Sequence, residues 1–175
     1  MSASHIIAIS ALLVPLAIII TYYDVRYRRI PNSFVLATLI SGLAINSINA
    51  GMSGALASIC GCVLAFCLMF MLHVFGAMGA GDVKLYAAIG ALIGPNMVLP
   101  TFLVIALVGG VLAICATLRN GAFKETLYRV LQIFVGLLPG WEMPRFTVPA
   151  NRRHTIPYGV AITTGSLISL ILFHA

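Results

Sequence analysis

The sequence predicts an all-α fold, a polytopic membrane protein of about six transmembrane helices plus a short interfacial helix. Three observations carry that expectation. The 175-residue chain is 61% apolar and only 8% charged, where a soluble domain carries about a quarter of its residues as charges. Its mean hydropathy is +1.09. Its ten basic and four acidic residues fall into a few clusters separated by long apolar runs. So few charges cannot build a solvated surface, so the surface is expected to face lipid. The whole chain, residues 1–175, reads as one integral-membrane domain.

A span takes about 20 predominantly apolar residues. Ile6 to Tyr23 is the first, and it reads as a retained span. Met1 to His5 lacks a positive n-region, and the run ends in Tyr22-Tyr23-Asp24 where a signal peptide would have small residues. Phe34 to Ala50 is the second, with Ser41, Asn46, Ser47 and Asn49 in its far half. Ala55 to Phe75 is the third. The run from Leu85 to Leu118 carries no charge, and at about 1.5 Å per residue it would reach roughly 50 Å as one helix. A hydrocarbon core is only about 30 Å thick. Gly94-Pro95-Asn96 supplies the break, giving a short span from Val83 to Ile93 and a longer one from Met97 to Leu118. Leu127, Val130, Leu131, Phe134 and Leu138 recur at helical spacing over too short a piece to cross, which suits an interfacial or re-entrant helix. Ile156 to Phe173 is the last span.

Charge position tests this count. If the spans alternate, the connections after the first, third and fifth share one side. They hold Asp24, Arg26, Arg28 and Arg29; then Asp82 and Lys84; then Arg119, Lys124, Glu125, Arg129, Glu142, Arg145, Arg152 and Arg153. Those are all the charged residues of the chain. The positive-inside rule makes that side the cytoplasm, with both termini outside. The same rule accounts for the net charge of +6 without nucleic acid, since the basic residues sit at loop positions without interleaved aromatics. Cys60, Cys62, Cys67 and Cys115 form no C-x-x-C pair and no zinc spacing. They read as small buried hydrophobes. No metal and no organic cofactor is implied.

Two of the four carboxylates stand at span ends on the charged side. Asp24 follows the first helix in Tyr23-Asp24-Val25-Arg26, and Asp82 precedes the fourth in Gly79-Ala80-Gly81-Asp82-Val83-Lys84. Ionisable residues at such depth usually mark function. Two carboxyl groups about 3 Å apart share one proton near neutral pH. One member then takes a proton from water while the other donates to a carbonyl oxygen, which hydrolyses an amide without a metal. Gly79 and Gly81 suit a loop that takes up φ > 0 beside a substrate strand. From the residues alone, Asp82 serves equally as a cap of the next helix and Asp24 as a boundary residue.

Three segments carry a resemblance. Asp24-Val25-Arg26-Tyr27-Arg28-Arg29-Ile30-Pro31-Asn32 resembles the D-x-R-x-x-x-I-P-N element of the type IV prepilin peptidases. Gly79-Ala80-Gly81-Asp82-Val83-Lys84 resembles their G-x-G-D-x-K element, and Ile156-Pro157-Tyr158-Gly159 their I-P-[YF]-G element. The three stand in the family's order, each where a span meets the charged side. The resemblance implies an aspartic endopeptidase that removes a basic leader from prepilins at the cytoplasmic face of the bacterial inner membrane. Asp24 and Asp82 carry over as its catalytic acids. Larger family members hold a cytoplasmic insertion with paired C-x-x-C motifs after the first span, associated with N-methylation. Only about ten residues follow Asp24 here before the second span, and no such cysteines exist. The compact form looks like the peptidases that serve tight-adherence (Flp-type) pili, with methyltransferase activity not expected.

The other motif residues have two readings each. Arg26, Arg28 and Arg29 anchor the positive side, or Arg26 and Lys84 bias the charge of the pair and guide substrate. Pro31 starts the second helix. Pro157, Tyr158 and Gly159 either shape the site or serve close helix packing. His154 reads as an ordinary interfacial side chain. Helix dipoles predict Asp82, at a helix N-terminus, as the ionised base and Asp24 as the proton donor. Three rival functions remain, one of them a purely structural assembly factor that only loss-of-function tests on the two acids separate from an enzyme. A presenilin or signal-peptide-peptidase type of G-x-G-D protease shares the Tyr23-Asp24 and Gly79-Ala80-Gly81-Asp82 pair, but has more spans and a P-A-L tripeptide. A small proton-coupled transporter subunit would also use intramembrane acids, placed near mid-bilayer.

Overall fold

The computed structural model describes residues 3–74, 78–119 and 158–174. Among them there are helices and no strands. They are α1 (Ala3–Tyr27), α2 (Asn32–Val74), α3 (Ala80–Ile93), α4 (Pro95–Arg119) and α5 (Tyr158–His174). The expected interfacial helix from Leu127 to Leu138, together with Ile156, Pro157 and His154, lies outside the described residues. Chain contacts divide into two compact units, Met1–Gly109 with Pro157–Ala175, and Gly110–Ile156. The first holds α1, α2, α3, α5 and most of α4; the described residues of the second are the end of α4.

Helices α1, α2 and α4 are long and apolar enough to cross a membrane, and α5 is a shorter apolar helix. Their surface is inverted relative to a soluble protein. Ile48 is 84% exposed and Leu107 71%, whereas Thr38, Asn46, Ser58, Thr101 and Ser169 are buried. Apolar exposure on this scale belongs in lipid, and buried hydroxyls and amides then serve contacts between helices. Cys60, Cys67 and Cys115 are exposed and Cys62 is half-buried, which corrects the expectation that all four are buried. A thiol is apolar enough to stand on a lipid-facing helix surface.

α2 joins the expected second and third spans in one helical run that turns at Gly51. That residue has φ 60° and ψ −136°, a left-handed conformation that glycine adopts without steric cost. The chain doubles back there, since a Cβ at Gly54 would collide with the Asn46 carbonyl oxygen and Ser58 Oγ lies 3.2 Å from Gly42 O. Pro31 does not start α2 as expected. It stands one residue ahead of Asn32, where its carbonyl accepts from Phe34 N–H at 3.2 Å.

α3 is apolar nearly all round, and every residue from Leu85 to Ile93 is buried, the mark of a central helix. It packs chiefly on α2 and also touches α5. Small residues let the backbones meet: a Cβ on Gly42 would fall 2.8 Å from the Leu92 nitrogen, and one on Gly61 would overlap the Gly90 carbonyl oxygen. The chain breaks at Gly94 (φ 76°), as Gly94-Pro95-Asn96 predicts. Tyr86 donates its hydroxyl to Val98 O across the break. α3 begins at Ala80, three residues ahead of the expected Val83. The polar half of the expected second span explains itself at the other end of α3. The Asn46 amide donates to Ala91 O at 2.9 Å and reaches Leu92 O at 3.2 Å. Ser58 Oγ donates to Ala91 O at 2.6 Å. These are carbonyls that a helix end leaves without partners.

Candidate active site

Asp24 lies in the last turn of α1. Its backbone carbonyl accepts from Arg28 N–H at 3.1 Å, and Arg28, with φ 53°, ends the helix in the left-handed region. The side chain points inward and is 8% exposed. α1 packs on α5, and the N-terminus of α5 meets this carboxylate. Gly159 N–H donates to Asp24 Oδ2 at 2.8 Å. Gly159 has to be glycine for that contact, because a Cβ there would fall 2.8 Å from Asp24 Oδ2 and 3.2 Å from Ile20 Cγ2.

Asp82 is the third residue of α3. Its Oδ2 accepts from Gly79 N–H at 3.1 Å, and Asp82 N–H donates back to Gly79 O at 3.1 Å. An acid at this position reaching the cap residue is half of a capping box, with backbone replacing the side chain that Gly79 lacks. The capping role that the sequence left open is therefore present, and it aims the carboxyl. Burial is the main cause that pushes the Asp82 carboxyl up to about 6; Gly79 N–H works against it, and the charge of Asp24 adds to the rise. Asp82, on α3, thus feels the charge of Asp24, on α1. The Asp82 charge also reaches Tyr158, the first residue of α5, whose ring packs beside Gly109 of α4.

Three expectations change. Gly79 has φ −78° and ψ 152°, and the positive-φ glycines among the described residues are Gly51 and Gly94. Neither Gly79 nor Gly81 is needed for a left-handed turn. Gly79 instead admits close approach, since a Cβ would stand 3.2 Å from Asp82 Oδ2, whereas a Cβ on Gly81 would make ordinary contact with Ile30 at 3.6 Å. Arg26 and Lys84 are exposed. Each stands two positions from its aspartate, and residues two apart on a helix do not share a face. Arg26 lines a groove of about 750 Å³ between α1 and α5 with Ala17, Ile18, Thr21, Tyr22, Val25 and Thr164. The cation whose charge reaches Asp24 is Arg28. The dipole argument for the pair also loses its asymmetry. Asp24 ends its own helix, yet its carboxylate is received by the N-terminus of another, so both acids meet helix N-termini.

His73 was not legible as a site residue. It stands in the last turn of α2, half-buried, with Nδ1 2.8 Å from Met78 O, immediately before Gly79. A lone histidine at the end of an apolar run carries no pattern that would reveal this. Pro157 lies outside the described residues.

The model of the type IV leader peptidase family matches residues 11–114, a stretch that holds both aspartates. The chain belongs to that family. A prepilin leader peptidase/N-methyltransferase of Bacillus subtilis (strain 168) is 28% identical over 161 residues, which cover 90% of this chain and 53% of that protein. The chain spans about half the length of this curated relative. No solved structure matches it.

Proposed function

We propose that this chain is a membrane-embedded aspartic endopeptidase that removes the leader peptide from type IV prepilins of the Flp type, at the cytoplasmic face of the inner membrane. One observation carries the reading. Asp24 and Asp82, far apart in sequence, stand close enough for the charge of one to raise the other, within a chain of the leader peptidase family. Asp82 is held by the N–H of Gly79 and Asp24 by the N–H groups of Gly159 and Val160. A pair sharing one proton can deprotonate water and protonate the scissile carbonyl in the same step. Asp24, which takes the shorter N–H bond and the charge of Arg28, is the ionised base. Asp82, pushed up to about 6, is the member of the pair that takes up the shared proton and donates it. This reverses the assignment that helix dipoles alone predict.

The proposed topology has six spans with α2 counted as two, both termini outside and the acids at the cytoplasmic end. It is supported by the hairpin at Gly51 and by the contact of Gly81 with Ile30, which bring the α1–α2 and α2–α3 connections to one end. Peptidase activity without N-methylation is supported by the short path from Tyr27 to Asn32, which leaves no room for a cysteine-bearing insertion, and by the lack of C-x-x-C pairs.

The test is cleavage of a co-expressed Flp-type prepilin by wild type, Asp24→Asn and Asp82→Asn, with enzyme levels checked in membranes. Each substitution alone is expected to reduce processing at least about 1,000-fold, as loss of one member of a catalytic unit does. Near wild-type cleavage by either variant sinks the paired-acid mechanism.

A further inference from the structure

Asp82 is held by a peptide group that is itself held. The N–H of the Met78–Gly79 peptide donates to Asp82 Oδ2 at 3.1 Å. The carbonyl of the same peptide, Met78 O, lies 2.8 Å from His73 Nδ1. A carbonyl oxygen only accepts, so Nδ1 carries a proton and donates it. The two hydrogen bonds therefore join through one conjugated amide. Donation into the carbonyl draws density from the nitrogen and strengthens its N–H as a donor, and bonds in such chains reinforce one another.

We propose that His73 is a positioning residue for Asp82, acting through the Met78–Gly79 peptide. It ties the last turn of α2 to the peptide that precedes α3 and firms the N–H that holds the Asp82 carboxyl. The Phe70 ring, one turn earlier with its centroid 6.1 Å from the imidazole, backs His73. The inference rests on the reading of Asp82 as one of the two catalytic acids.

Among the described residues, the groups that face Asp82 are Asp24 from α1, Tyr158 from α5 and Gly79 N–H at its own helix start. Lys84, on the same helix, is exposed. His73, from α2, reaches the carboxyl through the peptide. Replacing His73 leaves every one of these groups in the chain and weakens only the Gly79 donor, the one influence that holds Asp82 down. The proton on Asp82 is then kept to higher pH.

The experiment compares pH–rate profiles for prepilin cleavage by the full-length protein in membranes, for wild type, His73→Leu, His73→Asn and His73→Gln. His73→Leu is expected to lower the maximal rate about tenfold and to move the alkaline limb, where the pair loses its shared proton, upward by about half a pH unit. His73→Asn places an amide nitrogen where Nδ1 was and is expected to return the limb to its wild-type position. His73→Gln places it further out and is expected not to. A His73→Leu rate that falls with no movement of the limb overturns the proposal, as does failure of His73→Asn to restore it. If His73→Leu does not accumulate, the Asn and Gln variants carry the comparison, and coincident limbs overturn it. Asp82→Asn in the same series separates the two levels. Cleavage by that variant removes the reading of Asp82, whereas an inactive Asp82→Asn beside an unshifted His73→Leu removes the relay alone.

Discussion

At its C-terminal end α3 hands its last carbonyls to neutral donors, Asn46 and Ser58, both buried. At its N-terminal end it has the reverse arrangement: the cap N–H is taken by a carboxylate, Asp82, which also faces the second acid. The closed end has its polar groups matched to one another by packing against α2. The open end keeps a half-buried acid whose partner is another acid, an arrangement that disfavours the charged form and costs stability. One helix thus joins an anchor at the closed end to strained electrostatics at the open end, which is where function is built at the expense of stability.

The comparison can be broken first at the closed end. Gly90→Leu puts a side chain where even a Cβ would fall 2.5 Å from Ala65 Cβ. It is expected to stop the protein accumulating in membranes, since backbone has to move to admit it; normal levels and cleavage would show that α3 does not need this contact. Next comes Gly159→Ala at the open end, where a methyl would press on Asp24 Oδ2. Cleavage is expected to fall about 100-fold, as a displacement of about 1 Å in a catalytic group does, with enzyme levels little changed.

Asn46→Ala sharpens the contrast. It leaves Leu92 O without its side-chain donor, and thermal unfolding in detergent is expected to show a loss of about 1–2 kcal/mol, while cleavage per folded molecule stays near wild type. A fall in specific activity with no loss of stability would reverse the roles given to the two ends. The smallest effect is a gain. Asp82→Asn is expected to abolish cleavage yet to raise stability at pH 7 by about 1 kcal/mol. The sign follows from the folded carboxyl lying at about 6, above the ordinary 3.8. The folded state binds the proton more tightly, so wild-type stability falls as pH rises from about 4 to about 6 and then levels. Asp82→Asn is expected to flatten that slope; an unchanged slope would assign it to other groups.

Much of the site was legible because its acids stand in rare places. Asp24 and Asp82 are half of the carboxylates in a chain with four, each at the edge of an apolar run. The break at Gly94 was equally plain, because a proline follows a glycine inside a charge-free stretch. Residues whose role depends on a distant partner were not legible. Asn46 looked like a polar blemish in a span until α3 brought its C-terminus alongside. His73 had no visible partner until a backbone carbonyl met it. Arg26 and Lys84, chosen because they neighbour the acids in sequence, stand on other faces of their helices, while Arg28 reaches Asp24.

By itself the sequence determined that this chain is helical and apolar enough for lipid, where its long apolar run breaks, and which two acids to examine. Those properties follow from hydropathy, proline and glycine chemistry, and the cost of charge near a bilayer, all of which act locally. The tertiary structure alone decided that Asp24 meets the N-terminus of α5, that α3 is the central helix fastened at its far end by Asn46 and Ser58, and that His73 reaches Asp82 through a peptide bond. These depend on glycines that let backbones from distant parts of the chain come within contact, and close approach is a property of pairs of helices that neither helix carries alone.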